Sequence, residues 1–167
     1  MLQSIYEIEE TQNGGLIAIM RRPSSDWLQD DIKALAEGGI TLVVRLLTDT
    51  EVIELGLERE EDACRSSGIE FRSFQIEDRG VPENALAFVS LICELGQMVE
   101  AGARVAVHCR AGIGRSGLSA AALLINRGTT SDEAFARVSE RRRVTVPDTD
   151  DQRRWIEAHA EALSQCS

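Results

Sequence analysis

The sequence predicts an α/β fold, a single domain on a mostly parallel central sheet flanked by helices. Three observations carry this. Short apolar stretches alternate with longer segments of helical periodicity along the chain. Residues 41–47 are β-branched and apolar, with no polar alternation until Arg45, which suits a strand covered on both faces. At 167 residues and 43% apolar composition the chain can bury one core without a disulfide or metal to hold it. We take residues 1–167 as one domain with its core at about 16–164.

The elements follow in order. Leu16–Met20 reads as a strand. Ser25 is a candidate cap for a helix carrying Trp27, Leu28, Ile32 and Leu35 that stops at Gly38 and Gly39. Residues 41–47 form the next strand. A helix is expected over about 52–66, ended by Gly68, and then a strand over 70–74. After the turn-like Asp78-Arg79-Gly80, Pro82 suits the first turn of a helix. Leu86, Val89, Ile92, Leu95 and Val99 continue it at helical spacing, and Gly102 closes it. Arg104–His108 is the next strand. A loop with two glycines leads into an Ala/Leu-rich helix over about 115–126. Ser131, Asp132 and Glu133 open another helix, bearing Phe135 and Val138. The last starts near Asp148 or Thr149 and carries Trp155, Ile156 and Leu163.

Composition narrows the function classes. Eighteen basic against 28 acidic residues give a net charge of −10, and Lys33 is the one lysine. Bulk attraction to nucleic acid or to an anionic membrane is therefore not expected. The two histidines, His108 and His159, cannot make a multi-histidine metal site. The four cysteines form no Cys-x-x-Cys pair. No metal and no cofactor is expected. Residues 1–10 are polar and acidic, without a basic-then-apolar signal segment, and no apolar run approaches the roughly 20 residues a bilayer needs. The expectation is a soluble, cytoplasmic protein with reduced thiols, taken as a monomer.

The chemistry concentrates in His108-Cys109-Arg110-Ala111-Gly112-Ile113-Gly114-Arg115-Ser116. A strand ends, a short loop follows and a helix begins. Successive loop amides can point to one centre, and the helix N-terminus adds unpaired N–H groups and the positive end of its dipole. The result is an anion cradle of about phosphate size, with Cys109 at its base, where positive potential favours the thiolate. Arg115 returns six residues later with a planar fork that matches two phosphate oxygens. Ser116 adds a hydroxyl.

This segment resembles the His-Cys-x5-Arg-Ser/Thr signature of the cysteine-based protein tyrosine phosphatases. The resemblance implies a phosphocysteine formed on Cys109 and stabilised by Arg115 and the loop amides. Ser116 would help the thiolate leave, and His108 would hold the loop and tune the thiolate. The stretch Ile76-Glu77-Asp78-Arg79-Gly80-Val81-Pro82 is similar to the family's general-acid loop at Asp78, Gly80 and Pro82. It departs where Ile76 and Glu77 replace Trp-Pro. Asp78 is then the acid that protonates the leaving oxygen. Asp78 also suits a turn, and Glu77 is the rival acid. Gln152 falls where the family positions the hydrolytic water, but Thr149-x-x-Gln152 is equally a capping box.

Residues 41–51 and 72–82 look like the front half of small dual-specificity-like phosphatases, including bacterial ones. A shallow pocket is implied, open to phosphotyrosine and to phosphoserine or phosphothreonine in a protein or peptide. The alternatives are a phosphoinositide or other non-protein phosphate-ester phosphatase on the same site, a rhodanese-type sulfurtransferase or an arsenate reductase, and a silent phosphoprotein-binding module. The Arg141-Arg142-Arg143 run either rims the site or is a solvated helix end. Arg45 and Arg79 are open between rim contact and surface ion pair. A disulfide from Cys109 to Cys64 or Cys93 is a further possibility, Cys166 is expected in the core or at the surface, and His159 is expected to be structural.

Overall fold

The computed structural model describes residues 5–166. Its sheet has the strand order β1-β2-β5-β3-β4. The strands are β1 (Ile5–Glu10), β2 (Leu16–Met20), β3 (Leu42–Arg45), β4 (Glu70–Ser73) and β5 (Arg104–His108). Every pairing but one is parallel; β1 lies antiparallel on the edge against β2. The mostly parallel sheet is thus as expected, while β1 is a strand the sequence reading left out. Its acids mask it: Ile8 turns inward and is buried, whereas Glu9 faces out to Arg127 and Arg137. Residues 1–4 of the polar opening lie outside the described residues.

The strands alternate their side chains between two cores, as the pleat requires. Ile17, Ile19, Val105 and Val107 face α4 (Ala85–Glu100), α5 (Gly114–Asn126), α6 (Ser131–Arg142) and α7 (Asp150–Ser164). Leu16, Ala18, Met20 and Ala106 face α1 (Leu28–Glu37), α2 (Asp49–Glu54) and α3 (Glu60–Ser66). The central helix α5 is buried on nearly every side, which explains its Ala-rich sequence.

Several boundaries differ from expectation. The helix expected over 52–66 is two helices, because the chain turns at Gly56 with φ +66°. Ser25 does not cap α1; Trp27 stands at its N-terminus, largely exposed, and offers no side-chain cap. Pro82 precedes α4 rather than opening it, and Asn84 caps that helix through the Ala87 amide. Leu86 is exposed and Phe88 takes the buried place. Cys93 and Cys166 are joined in a disulfide with Cα atoms 5.4 Å apart, where reduced thiols were expected. That pairing removes Cys93 as a partner for Cys109. Cys64 is buried in the core on the other face of the sheet from the one that holds Cys109. His159 stacks on Trp155 and donates from Nδ1 to the Trp155 carbonyl. No helix of the described residues is long and apolar enough to cross a membrane.

Candidate active site

The site forms where the centre of the sheet ends. β5 delivers His108 and Cys109, the loop turns through Arg110–Ile113 (residues 110–113), and α5 starts at Gly114. Gly112 has φ +71°, a conformation that a side chain would resist. That twist aims the Gly112 N–H at Cys109 Sγ, 3.3 Å away, in a buried setting. Arg110, Ala111, Gly112, Ile113 and Gly114 therefore form the loop the sequence marks out, with the sulfur at its base.

Arg115 is 1% exposed and its fork is fully engaged. Nη1 donates to Glu51 Oε1 at 2.6 Å and to the Ile76 carbonyl at 2.8 Å. Nη2 donates to Glu51 Oε2 at 2.9 Å and to Asp78 Oδ1 at 3.1 Å. Burial works against the Arg115 charge, and Glu51, Cys109 and Asp78 outweigh it, so the guanidinium is held more firmly cationic than usual. Burial would likewise push the Glu51 carboxyl up, but the Arg115 hydrogen bonds, the Thr48 amide and Arg110 bring it down from 4.5 to about 2.

Asp78 stands at the mouth of the site on a tight turn. The Gly80 N–H closes that turn on the Glu77 carbonyl at 2.8 Å, and Arg79 takes φ +61°. The turn is pinned on both flanks. Arg115 holds the Ile76 carbonyl, Gln152 Nε2 donates to the Gly80 carbonyl at 3.0 Å, and Arg79 pairs with Asp148. Glu77 is exposed and makes no contact with Arg115. Gln152 is buried and closes a capping box on Thr149: its Oε1 accepts from the amides of Asp148 and Thr149. It also lies against the position a Gly114 side chain would occupy. Ser116 Oγ is buried and makes no hydrogen bond, leaving the hydroxyl uncommitted.

Two residues of the site escaped the sequence reading, and a third stands in neither of the places expected for it. Glu51 is the bidentate anchor of Arg115, and with Glu54 it also draws Arg110 down onto α2. Its signal was the Thr48-x-x-Glu51 capping box, which marks a helix start at 49 rather than 52. Glu60 is fully buried against His108 and carried no local signal. Arg142 belongs to the arginine run, but it neither rims the site nor reaches solvent. It is buried over the Tyr6 ring and donates to the carbonyls of Gly112 at 2.8 Å and Ala111 at 3.1 Å. Arg45 pairs with buried Glu60 and Arg79 with Asp148. A cleft of about 460 Å³ flanks the loop, lined among others by Glu51, Glu54, Glu77, Asp78 and Arg110.

This fold and this loop define a small dual-specificity-like cysteine phosphatase. The chain belongs to the family described as polymorphic toxin system, DSP-PTPase phosphatase (Tc-R-P), whose model matches residues 18–129. It is 31% identical over 152 residues to the mouse protein tyrosine phosphatase domain-containing protein 1, covering 84% of this chain and 20% of that protein. It is 32% identical over 118 residues to human dual specificity protein phosphatase 2, covering 70% and 34%. The chain thus spans about a fifth to a third of these curated relatives. A crystal structure of kinase associated phosphatase, with its catalytic cysteine replaced by serine, has the same fold. The TM-score is 0.86 at 20% identity, over 99% of this chain and 98% of that one.

Proposed function

We propose that the domain hydrolyses phosphotyrosine, and with it phosphoserine or phosphothreonine, in a protein or peptide substrate through a phosphocysteine intermediate. The observation that carries this is the convergence of Cys109 Sγ, the Gly112 amide and Arg115 at one buried loop end, with Asp78 reaching Arg115 from the mouth. In the first step the Cys109 thiolate attacks phosphorus, the bond to the substrate oxygen breaks, and Asp78 gives that oxygen its proton. The loop amides and Arg115 meet the charge that builds on the non-bridging oxygens. In the second step the Asp78 carboxylate takes a proton from the water that attacks the phosphocysteine, the S–P bond breaks, and inorganic phosphate leaves the restored thiolate. Ser116, whose hydroxyl is uncommitted, is suited to receive the departing thiolate. The flanking cleft carries more acid than base, which favours a singly phosphorylated side chain over a polyphosphorylated inositol headgroup.

The test is hydrolysis of para-nitrophenyl phosphate without added metal. Cys109→Ser should abolish it, and activity surviving in that variant refutes the proposal. Asp78→Asn should slow turnover about 10²-fold or more on aryl phosphates with poor leaving groups and much less on those with good ones. An equal loss on both would remove Asp78 from the acid role.

A further inference from the structure

The loop that holds Cys109 carries a second cation, and the structure commits it elsewhere. Arg110 stands on the lip of the site with its side chain 41% exposed. Its Nε donates to Glu51 Oε2 at 3.3 Å and its Nη2 to Glu54 Oε2 at 2.9 Å. Glu51 and Glu54 are three positions apart on α2, so one helix face offers both carboxylates to one guanidinium. Glu51 also anchors Arg115, whereas Glu54 has no other partner among the described residues. A guanidinium held by charge-assisted bonds to two carboxylates keeps little attraction for a third anion. The cleft beside the loop, about 460 Å³, therefore presents acids to whatever enters it: Arg110 is its one cation, against Asp49, Glu51, Glu54, Glu77 and Asp78. Asp49 and Glu77 are exposed and have no ion-pair partner among the described residues. A second cleft of about 290 Å³ shares Gln75 and Glu77 with the first, reaches Glu83 and adds no cation.

We propose that Glu54 is a specificity-determining residue: by holding Arg110 on α2 it makes the cleft selective for phosphotyrosine peptides with lysine or arginine next to the phosphorylated residue. The inference rests on the phosphatase reading of the Cys109 site. The phosphate is met by the loop amides and Arg115, while the flanking residues of a bound peptide meet the rim. Consecutive Cα atoms are about 3.8 Å apart, so the residues on either side of the phosphotyrosine fall over the cleft rather than beyond it. A basic neighbour there is attracted by Asp49 and Glu77. An acidic neighbour is repelled by the same side chains and finds Arg110 already engaged. The selection thus works by rejection as much as by attraction. Each exposed charge contributes little on its own, and salt weakens all of them.

The experiment reads binding and needs no turnover. Two peptides carry a non-hydrolysable phosphonate analogue of phosphotyrosine, one flanked on both sides by lysine and the other by glutamate. Their dissociation constants are measured by fluorescence anisotropy at low salt for the wild type, Glu54→Ala and Glu37→Ala. Glu54 and Glu37 are both exposed, so neither substitution disturbs the core. Glu37 ends α1 just before Gly39, which lies against Arg104 at the end of β5 away from Cys109. Its loss changes the net charge equally but leaves the cleft alone. The wild type should bind the lysine peptide about tenfold more tightly than the glutamate peptide. In Glu54→Ala that ratio should fall to about twofold or less, because Arg110 Nη2 is released to the glutamates, and in Glu37→Ala it should stay near the wild-type value. A wild-type ratio near one, an unchanged ratio in Glu54→Ala, or an equal fall in Glu37→Ala overturns the proposal. A wild type that shows the preference yet releases no phosphate from para-nitrophenyl phosphate refutes the hydrolytic reading alone.

Discussion

Glu51→Gln tests whether the arginine of the phosphate loop is held by charge or by shape alone. The substitution is nearly isosteric, and glutamine can still close the capping box with Thr48, so the start of α2 is kept. What is lost is the negative charge that faces both Nη atoms of a guanidinium 1% exposed. The Glu51 carboxyl drops from 4.5 to about 2 on folding, and its side chain is only 10% exposed. At about 1.4 kcal/mol per unit, that drop corresponds to roughly 3 kcal/mol of stability. The sign follows from the direction. A carboxyl depressed in the folded state stabilises fully above about 4.5 and loses that contribution as the pH falls toward 2. Urea unfolding of wild type and variant should therefore differ by about 3 kcal/mol at pH 7, and by roughly half of that or less at pH 3. Turnover of para-nitrophenyl phosphate should fall about tenfold or more, because Arg115 then keeps the exposed Asp78 as its one carboxylate partner among the described residues. A stability difference equal at the two pH values, or below about 1 kcal/mol at pH 7, would refute the charge-anchor reasoning.

Two other substitutions probe the frame around the loop. Gln152→Ala removes the acceptor shared by the Asp148 and Thr149 amides and should cost about 1 kcal/mol in thermal or urea unfolding. In stopped-flow measurements it should slow formation of the phosphocysteine, because the Gly80 tether of the acid turn is lost, and leave its hydrolysis within about twofold; a selectively slowed hydrolysis would instead assign Gln152 to the water. Arg142→Met takes the guanidinium off the Tyr6 ring and releases the Ala111 and Gly112 carbonyls, so vanadate inhibition should weaken at least about tenfold, and unchanged inhibition would show the loop holds its shape unaided.

What the sequence revealed and what it hid divide along contact distance. The loop from His108 to Ser116 is contiguous, so its residue types, glycines and strand-to-helix setting are all visible in one window. Asp78 was readable for the same reason, sitting in a turn with its own local chemistry. Glu51 and Glu60 act on residues 64 and 48 positions away. Along the chain only the Thr48-x-x-Glu51 capping box sets Glu51 apart from Glu54, and it marks a helix start rather than an arginine anchor; nothing sets Glu60 apart from Glu61, because burial of an acid is decided by the cation the fold brings to it. Arg142 was hidden by its neighbours: in a run of three arginines only the helix phase decides which one faces the loop. β1 escaped because a strand whose outward residues are glutamates looks like a polar terminus until their arginine partners are in place.

A net charge of −10 and a phosphate cradle coexist here for a reason that lies in the backbone. In each peptide unit the carbonyl and the N–H point in opposite directions. The Cys109 carbonyl is tied to His108, and the Ala111 and Gly112 carbonyls are tied to Arg142. Each tie turns the following amide, of Arg110, Gly112 and Ile113, the other way. For Gly112 the outcome is visible, since its N–H ends on the Cys109 sulfur. The positive potential of the site is thus assembled from peptide dipoles fixed by side chains outside the cradle, together with the start of α5 and one buried arginine. Surface acids, screened by water, subtract little from it. Two buried acids beside the loop, Glu51 and Glu60, orient neighbouring side chains, Arg115 on one side and His108 on the other.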